Sequence, residues 1–210
     1  MFVITADQVG SRERPDGAPA QIAQLVERFG DRLVLPPDQT AGDEIQLLAD
    51  SADTALGIIL QLTRSTSWSV GLGVGEMRRP IPAAARLATG SAFFAARDAV
   101  TAAKRSDTRF ALRAAPLVGA RAGEHVEALI QLLLLLRERR SEAGWEVVDL
   151  MSTGQRQKDI AAVLDISPAA VSMRLRTAGW RAEEAAIPAL IELLRELDGA
   201  SAHTAPASIG

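Results

Sequence analysis

Two kinds of hydrophobic spacing follow each other along the first half of the chain. Continuous or alternating apolar runs predict strands, and apolar residues at helical spacing predict amphipathic helices. The predicted strands are residues 2–6, the two arms that flank Gly42-Asp43, 68–75 and 109–113. The predicted helices are residues 19–29, 52–63 and 91–100. Strands and helices in this order predict an α+β domain, to which we assign residues 1–118.

The strand predicted at 68–75 alternates apolar residues with serine or glycine. Glycine weakens a strand interior, so Gly71, Gly73 and Gly75 need a structural reason. Either a helix or a ligand approaches the sheet closely at these positions, and the sequence does not distinguish the two.

From residue 119 the hydrophobic spacing is helical throughout. We predict a helical linker at 119–150, whose leucine-rich stretch 124–140 either packs two domains together or forms a dimer surface. An all-α domain at 151–198 follows, and the small, polar residues 199–210 predict a disordered tail. The apolar stripe of the last helix could pair with its copy in a homodimer. This stripe consists of Ile187, Leu190, Ile191, Leu194 and Leu197.

Composition narrows the class of protein. The chain has 210 residues, 48% of them hydrophobic, which excludes a disordered protein. It has no cysteine, which excludes disulfides and thiolate metal sites. No signal peptide or membrane-spanning run is evident, so we expect a cytoplasmic protein that does not insert into a membrane. A formal net charge of -3 gives no global attraction to nucleic acid, so such binding needs a local basic patch.

Acidic residues end the first predicted strand and form the hairpin turn. If these strands are neighbours in one sheet, Asp7 and Asp43 converge on one site. Carboxylates are ligands that Mg²⁺ prefers, together with the phosphates of a substrate. The loop 8–17 carries Gly10, Ser11 and Arg12, which suits contact with phosphate. The alternatives are a solvated turn and an ordinary surface loop.

Four segments of the first half of the chain form a pattern: Asp7 with Val9 and Ser11-Arg12, then 41–46 with Gly42, Asp43 and Glu44, then 70–75, then 90–97 ending in Arg97. Together they resemble the SatD family of bacterial proteins. More distantly, the same order is similar to the palm-type catalytic domain of class III nucleotidyl cyclases and GGDEF proteins. The resemblance covers about the first half of the chain.

This resemblance implies a ferredoxin-like, palm-type antiparallel sheet with helices on one face. It also implies that Asp7 and Asp43 bind a metal such as Mg²⁺, and that Gly10, Ser11, Arg12, Gly42, Glu44 and Arg97 contact a nucleotide. Arg97 falls on the arginine that stabilises the cyclase transition state, or it is an ordinary surface arginine. The cyclase asparagine that orients the ribose falls on Phe93, so we expect nucleotide binding rather than turnover.

Residues 153–176 predict a helix-turn-helix. Ile160, Val163 and Leu164 are expected to face inward from the first helix, with Val171 and Leu175 from the second. Ser167 can cap the second helix and Pro168 suits its first turn. The segment resembles the DNA-binding part of many bacterial regulators, including sigma-factor-like and MarR-type domains. The predicted DNA-binding residues are Arg156, Lys158, Ser167, Ala169, Ser172, Met173, Arg174 and Arg176. The alternative is a helical hairpin used only for packing.

Two functions remain open from the sequence. The first is a transcriptional regulator that binds double-stranded DNA as a homodimer and senses a nucleotide through its N-terminal domain. The second is a Mg²⁺-dependent nucleotide-processing enzyme with an accessory helix-turn-helix. Phe93 and the lack of an evident general base favour the first.

Overall fold

The computed structural model describes residues 1–11, 13, 15–40, 42–115 and 120–202. The strands are β1 (Phe2–Gln8), β2 (Leu35–Gln39), β3 (Glu44–Ala49), β4 (Trp68–Val74) and β5 (Phe110–Ala114). The helices are α1 (Ala18–Phe29), α2 (Ala52–Leu62), α3 (Ser91–Ala103), α4 (Ala120–Glu138), α5 (Glu142–Ser152), α6 (Gln157–Val163), α7 (Pro168–Thr177) and α8 (Trp180–Ala202). The predicted α+β class is therefore confirmed.

The described residues form two compact units. The first contains the described residues within Met1–Gln131 and Leu190–Gly210, and the second contains Leu132–Ala189. The predicted boundary after residue 118 lies outside the described residues. Of the predicted disordered tail, residues 199–202 belong to α8, so that part of the prediction is wrong, and 203–210 lie outside the described residues.

The first unit is built on one five-stranded sheet in the order β2-β3-β1-β4-β5. Strand β1 is antiparallel to both β3 and β4, and β2 is antiparallel to β3. Strand β5 joins the edge parallel to β4 through the crossover helix α3. The sheet is therefore mixed, and the prediction of a purely antiparallel sheet is wrong. The fifth strand follows a helical crossover, which is the connection that a parallel neighbour requires.

Helices cover both faces of the sheet, which corrects the expectation that they lie on one face. Val3, Leu48 and Gly73 are opposite one another in register and lie against α3, where Ala92 and Ala96 pack on Val3 and Leu48. The alternate residues of the strands point to the other face, where α1 and α2 contact the sheet. These alternate positions include Ile4, Leu47 and Leu72, all at most 1% exposed.

The glycines of β4 are explained by helix packing. A Cβ at Gly71 would lie 2.2 Å from the backbone nitrogen of Val100, and one at Gly73 would lie 2.1 Å from the backbone oxygen of Ala92. Helix α3 therefore rests directly on the backbone of β4. Of the two explanations that the sequence left open, close approach of a helix is the one found at Gly71 and Gly73.

Both edge strands of the sheet, β2 and β5, have features that limit pairing with a further strand. Pro36 and Pro37 lie within the edge strand β2, whose pairing with β3 shifts register between Leu35 and Asp38. Proline lacks the N–H that a residue of a central strand must donate, so within a sheet it is tolerated at an edge. At the other edge, the carboxylate of Glu127 in α4 accepts a hydrogen bond from the backbone N–H of Leu112, at 2.7 Å. The side chain of Gln131 donates to the carbonyl of Phe110, at 3.1 Å.

The second unit has its own core between α5, α6 and α7. Its central residues include Val147, Ile160, Val171 and Leu175. The predicted inward positions on α7 are therefore confirmed, whereas Val163 of α6 is 64% exposed and that prediction is wrong. The neighbouring helices cover only the side of α6 that carries Ile160 and Ala161.

A buried charge cluster, formed by Arg137, Arg140, Glu183 and Trp145, also lies in the second unit. Both arginines pair with the carboxylate of Glu183, whose side chain is 4% exposed. The Arg140 side chain is 0% exposed, and its Nε donates to the carbonyl of Ala178 at 2.7 Å. The ring of Trp145 lies 4.9 Å and 4.8 Å from the two guanidinium carbons. Two positive charges therefore share one buried carboxylate.

Part of the apolar stripe of α8 is buried. Leu190, Leu194 and Leu197 are at most 4% exposed in the single chain, whereas Ile187 and Ile191 are half-buried. Pairing of this stripe with a second copy stays a prediction. On α4, Ile130, Leu133 and Leu134 are buried, whereas Leu129, Leu132 and Leu135 are 40–62% exposed.

Candidate functional site

The first candidate site is the acidic end of the sheet, defined here as Asp7, Asp43 and Glu44. Antiparallel pairing puts Asp7 opposite Glu44 at the start of β3, and opposite Ser69 of β4. Gly42, at φ 77°, makes the hairpin turn that precedes Asp43. The end of β1 and the hairpin turn thus lie at the same end of one sheet.

A lysine joins the acidic end from α3. The ammonium of Lys104 lies 2.8 Å from a carboxylate oxygen of Asp7, whose side chain is 24% exposed. Helix α3 begins beside Gly75 and runs along β4. Its 13 residues span ~20 Å at ~1.5 Å per residue, comparable with the seven-residue strand. The length of the predicted helix was the one sequence signal that could have placed Lys104 near Asp7.

Side-chain hydrogen bonds stabilise the described part of the hairpin turn. The side chain of Thr40 donates to the carboxylate of Glu44 at 2.7 Å, and Gln39 donates to the carbonyl of Gly42 at 2.7 Å. One carboxylate oxygen of Asp43 is buried without a hydrogen-bond partner among the described residues. A buried oxygen of this kind is electrostatically suited to a cation or a ligand donor.

The loop after β1 folds against this end of the sheet. Gln8 donates to the carbonyl of Pro15 at 2.8 Å and accepts from the N–H of Gly17 at 2.7 Å. Asp16 accepts a hydrogen bond from Gln39 at 2.9 Å. That bond, together with one from the backbone N–H of Ala18, holds the pKa of Asp16 below its ordinary value. The loop and the hairpin are therefore tied together.

The predicted nucleotide-contacting residues are distributed around this loop and hairpin, apart from Arg97. Gly10 is exposed at φ 71° and Ser11 is half-buried, whereas Arg12 lies outside the described residues. Gly42 and Glu44 belong to the hairpin described above. Arg97 is exposed on α3 seven residues before Lys104, so the two side chains share one side of that helix at ~10 Å along its axis. Lys104, and not Arg97, reaches Asp7.

Phe93 has a structural role. It is 8% exposed and packs in the cluster that contains Val3, Leu48 and Ala96. The position that resembles the cyclase asparagine is therefore occupied by a core side chain.

The acidic end fits part of a magnesium site. Its donors are carboxylate oxygens, and the partnerless oxygen of Asp43 is the kind of atom that a cation would satisfy. Lys104 already neutralises Asp7 and would compete with a metal ion for it. In the described part of the chain, no group of three or more His, Cys, Asp or Glu side chains is arranged to hold a metal. A bound Mg²⁺ would therefore depend on oxygens from a ligand as well.

The second candidate site is the outer face of α7, defined here as Ala169, Ser172, Met173 and Arg176. A short turn containing Asp165, at φ 51°, joins α6 to α7. The side chain of Ser167 accepts from the N–H of Ala170 at 3.1 Å and so caps α7. All four residues of the outer face are exposed, including Met173 at 53%.

The basic residues near this face differ in their availability. Arg156 donates to Asp159 at 2.9 Å, and this hydrogen bond holds the pKa of Asp159 below its ordinary value. Arg174 pairs with Glu146 of α5 at 3.0 Å. Lys158 is exposed, and Arg176 contacts the sulfur of Met173 at 2.9 Å. Lys158 and Arg176 are thus the predicted DNA-contacting cations that carry no ion pair with a described residue.

In the described residues, no helix combines the length and the apolar character needed to cross a membrane.

Comparison with known proteins identified no relative of this chain. Neither protein-family models nor searches of curated proteins and solved structures gave a match to this chain.

Proposed function

We propose that this protein is a DNA-binding transcriptional regulator whose N-terminal domain responds to a nucleotide. The observation that carries the proposal is α7, a capped helix with an exposed outer face that follows α6 after a short turn. In helix-turn-helix proteins, the second helix enters the major groove of DNA and its outer face meets the base edges.

The packing of the second unit supports a helix-turn-helix. Val171 and Leu175 anchor α7 on the core, and the small Ala161 is buried where α6 and α7 approach each other. This leaves Ala169, Ser172, Met173 and Arg176 free on the opposite side. A homodimer, as expected from the sequence, would present two copies of α7 to one DNA site.

The topology of the first unit supports a ferredoxin-like, palm-type sensor domain. Its first six elements follow the order β-α-β-β-α-β of the ferredoxin-like motif. The resemblance to SatD and cyclase-like domains implies that a nucleotide would bind at the acidic end. Asp7 and Asp43 would hold Mg²⁺, which would supply positive charge to the phosphates and would take the place of the Lys104 ammonium at Asp7.

Gel-shift titration with double-stranded DNA tests the regulator. We expect sequence-preferring binding whose association constant falls with salt at a logarithmic slope of about 0.9 per phosphate contact. Lys158→Ala should reduce that slope by about one contact, because its ammonium is exposed and forms no ion pair with a described residue. Arg195→Ala is the matched control, since Arg195 is 60% exposed on α8 in the other unit. Absence of salt-sensitive, sequence-preferring binding, with and without nucleotides, would refute the proposal.

Thermal unfolding in the presence of nucleoside triphosphates and Mg²⁺ tests the sensor. At a ligand concentration about 100 times Kd, binding should add ~2.7 kcal/mol to the free energy of unfolding. Asp43→Asn should abolish this gain, whereas Lys104→Met should increase the part that depends on Mg²⁺, because the competing ammonium is gone. Asp53→Asn is the control, since Asp53 is 55% exposed on α2. If no nucleotide stabilises the wild type, the first unit is a scaffold and not a sensor.

The second candidate function is a Mg²⁺-dependent nucleotide-processing enzyme. The buried carboxylate oxygen of Asp43 that has no hydrogen-bond partner among the described residues favours it, because such an atom could hold a catalytic cation. Burial of Phe93 in the core disfavours it, since this apolar side chain stands at the position that resembles the ribose-orienting asparagine. Incubation with each nucleoside triphosphate and Mg²⁺ decides between the two, because cyclic, linked or hydrolysed products would identify an enzyme.

A further inference from the structure

The outer face of α7 is unusual in carrying one cation beside small and apolar side chains. Ala169 and Ser172 are small, and Met173 is 53% exposed despite its apolar character. Arg176 lies against Met173, with a guanidinium nitrogen 2.9 Å from the sulfur. An apolar group and a hydrogen-bonding fork therefore stand side by side on this surface.

Two other polar side chains at α7 are already engaged. The hydroxyl of Ser167 accepts the capping hydrogen bond, and Arg174 is held by Glu146 at the side of the helix. Arg176 is thus the charged side chain of α7 that remains available to a base edge.

Each base pair shows a different pattern in the major groove. Thymine presents a C5-methyl group, which apolar side chains contact, and guanine presents O6 and N7, which accept two hydrogen bonds from an arginine. Residues three apart on a helix are separated by ~4.5 Å along the axis, close to the ~3.4 Å spacing of stacked base pairs. Met173 and Arg176 therefore match two neighbouring base pairs.

We propose that α7 reads a thymine beside a guanine, with Met173 against the thymine methyl group and Arg176 donating to O6 and N7 of the guanine. The flexible methionine side chain suits this contact because it adapts to an irregular apolar surface. The proposal rests on the regulator function and adds the bases that it recognises.

The test starts from the full-length protein and a random pool of double-stranded DNA, from which bound sites are selected. The selected sites should contain a thymine next to a guanine. Replacing that thymine by uracil removes only the methyl group and should weaken wild-type binding by about fourfold. Replacing the guanine by 7-deazaguanine removes one acceptor and should weaken it by roughly fivefold or more.

Two variants of the protein test which side chain contacts which base. Met173→Ala should bind the thymine and uracil sites equally, and Arg176→Ala should lose the discrimination against 7-deazaguanine. Arg195→Ala should keep both preferences, since it removes an exposed arginine of the other unit. Because Met173 and Arg176 are both exposed, their replacement should leave the melting temperature unchanged, which is measured alongside.

The outcomes separate the two proposals. If the wild type shows no sequence-preferring DNA binding, the regulator function fails and this inference with it. If the wild type selects sites, but both analogue effects persist in Met173→Ala and Arg176→Ala, the regulator function stands and the base assignment is wrong. An Arg176→Ala loss that is equal for every sequence would show a phosphate contact and would also overturn the guanine assignment.

Discussion

Glu183→Gln should lower the free energy of unfolding of the unit formed by residues 132–189 by about 3–5 kcal/mol. The substitution keeps the shape of the side chain but leaves two arginines without the carboxylate that both of them contact. Removing one partner of a buried ion pair leaves an uncompensated buried charge, and here the Arg140 side chain is 0% exposed. Urea unfolding followed by circular dichroism measures the effect.

Glu184→Gln is the matched control. Glu184 is the next residue of α8 and is exposed, so its loss should change the free energy of unfolding by less than about 0.5 kcal/mol. Adding Arg140→Met to Glu183→Gln should recover part of the stability, because the buried charge of Arg140 is then removed. Equal stability of the Glu183 and Glu184 variants would show that the cluster does not contribute to folding.

Gly73→Ala should destabilise the first unit by about 3 kcal/mol, at the upper end of the usual range for overpacking. The added methyl group would lie 2.1 Å from the backbone oxygen of Ala92 and 2.4 Å from the backbone nitrogen of Ala96. Backbone atoms cannot move aside by a side-chain rotation, so α3 as a whole would have to shift away from β4. Thermal unfolding of the variant measures this loss.

Gly199→Ala is the control for this substitution. A Cβ at Gly199 meets no atom within 4 Å, and the residue is helical, so alanine should stabilise the protein by ~0.5–1 kcal/mol. If Gly73→Ala is as stable as the wild type, α3 does not rest on the β4 backbone at the distance described above.

Local patterns predicted the elements well and their assembly less well. The hairpin at Gly42 followed from two apolar runs around a glycine, and the cap at Ser167 followed from Ser-Pro before an apolar helix. The parallel pairing of β5 was missed because pairing depends on residues distant in sequence. The reason for Gly71 and Gly73 could not be chosen from the sequence, since a helix and a ligand leave the same glycine pattern.

The residues of the candidate sites were predicted from the sequence, but some of their contacts were not. Asp7 and Asp43 stand out as acidic residues that follow predicted strand ends, and the structure brings their segments to one end of the sheet. Lys104 was missed because it contacts Asp7 across 97 residues. Arg174 looks like any other basic residue of α7 in the sequence, and only the fold shows that Glu146 of α5 holds it. Charge patterns therefore overstate how many cations are free.

The two borders of the sheet limit how copies of this chain can associate. An exposed strand border presents unpaired amides and carbonyls, which is a template for strand addition by another molecule. Pro36 and Pro37 leave part of one border strand without N–H donors, while Glu127 and Gln131 occupy the outward N–H of Leu112 and carbonyl of Phe110 at the other border. We therefore expect the chain to resist fibrous aggregation through its native sheet, and any dimer to form between helical surfaces.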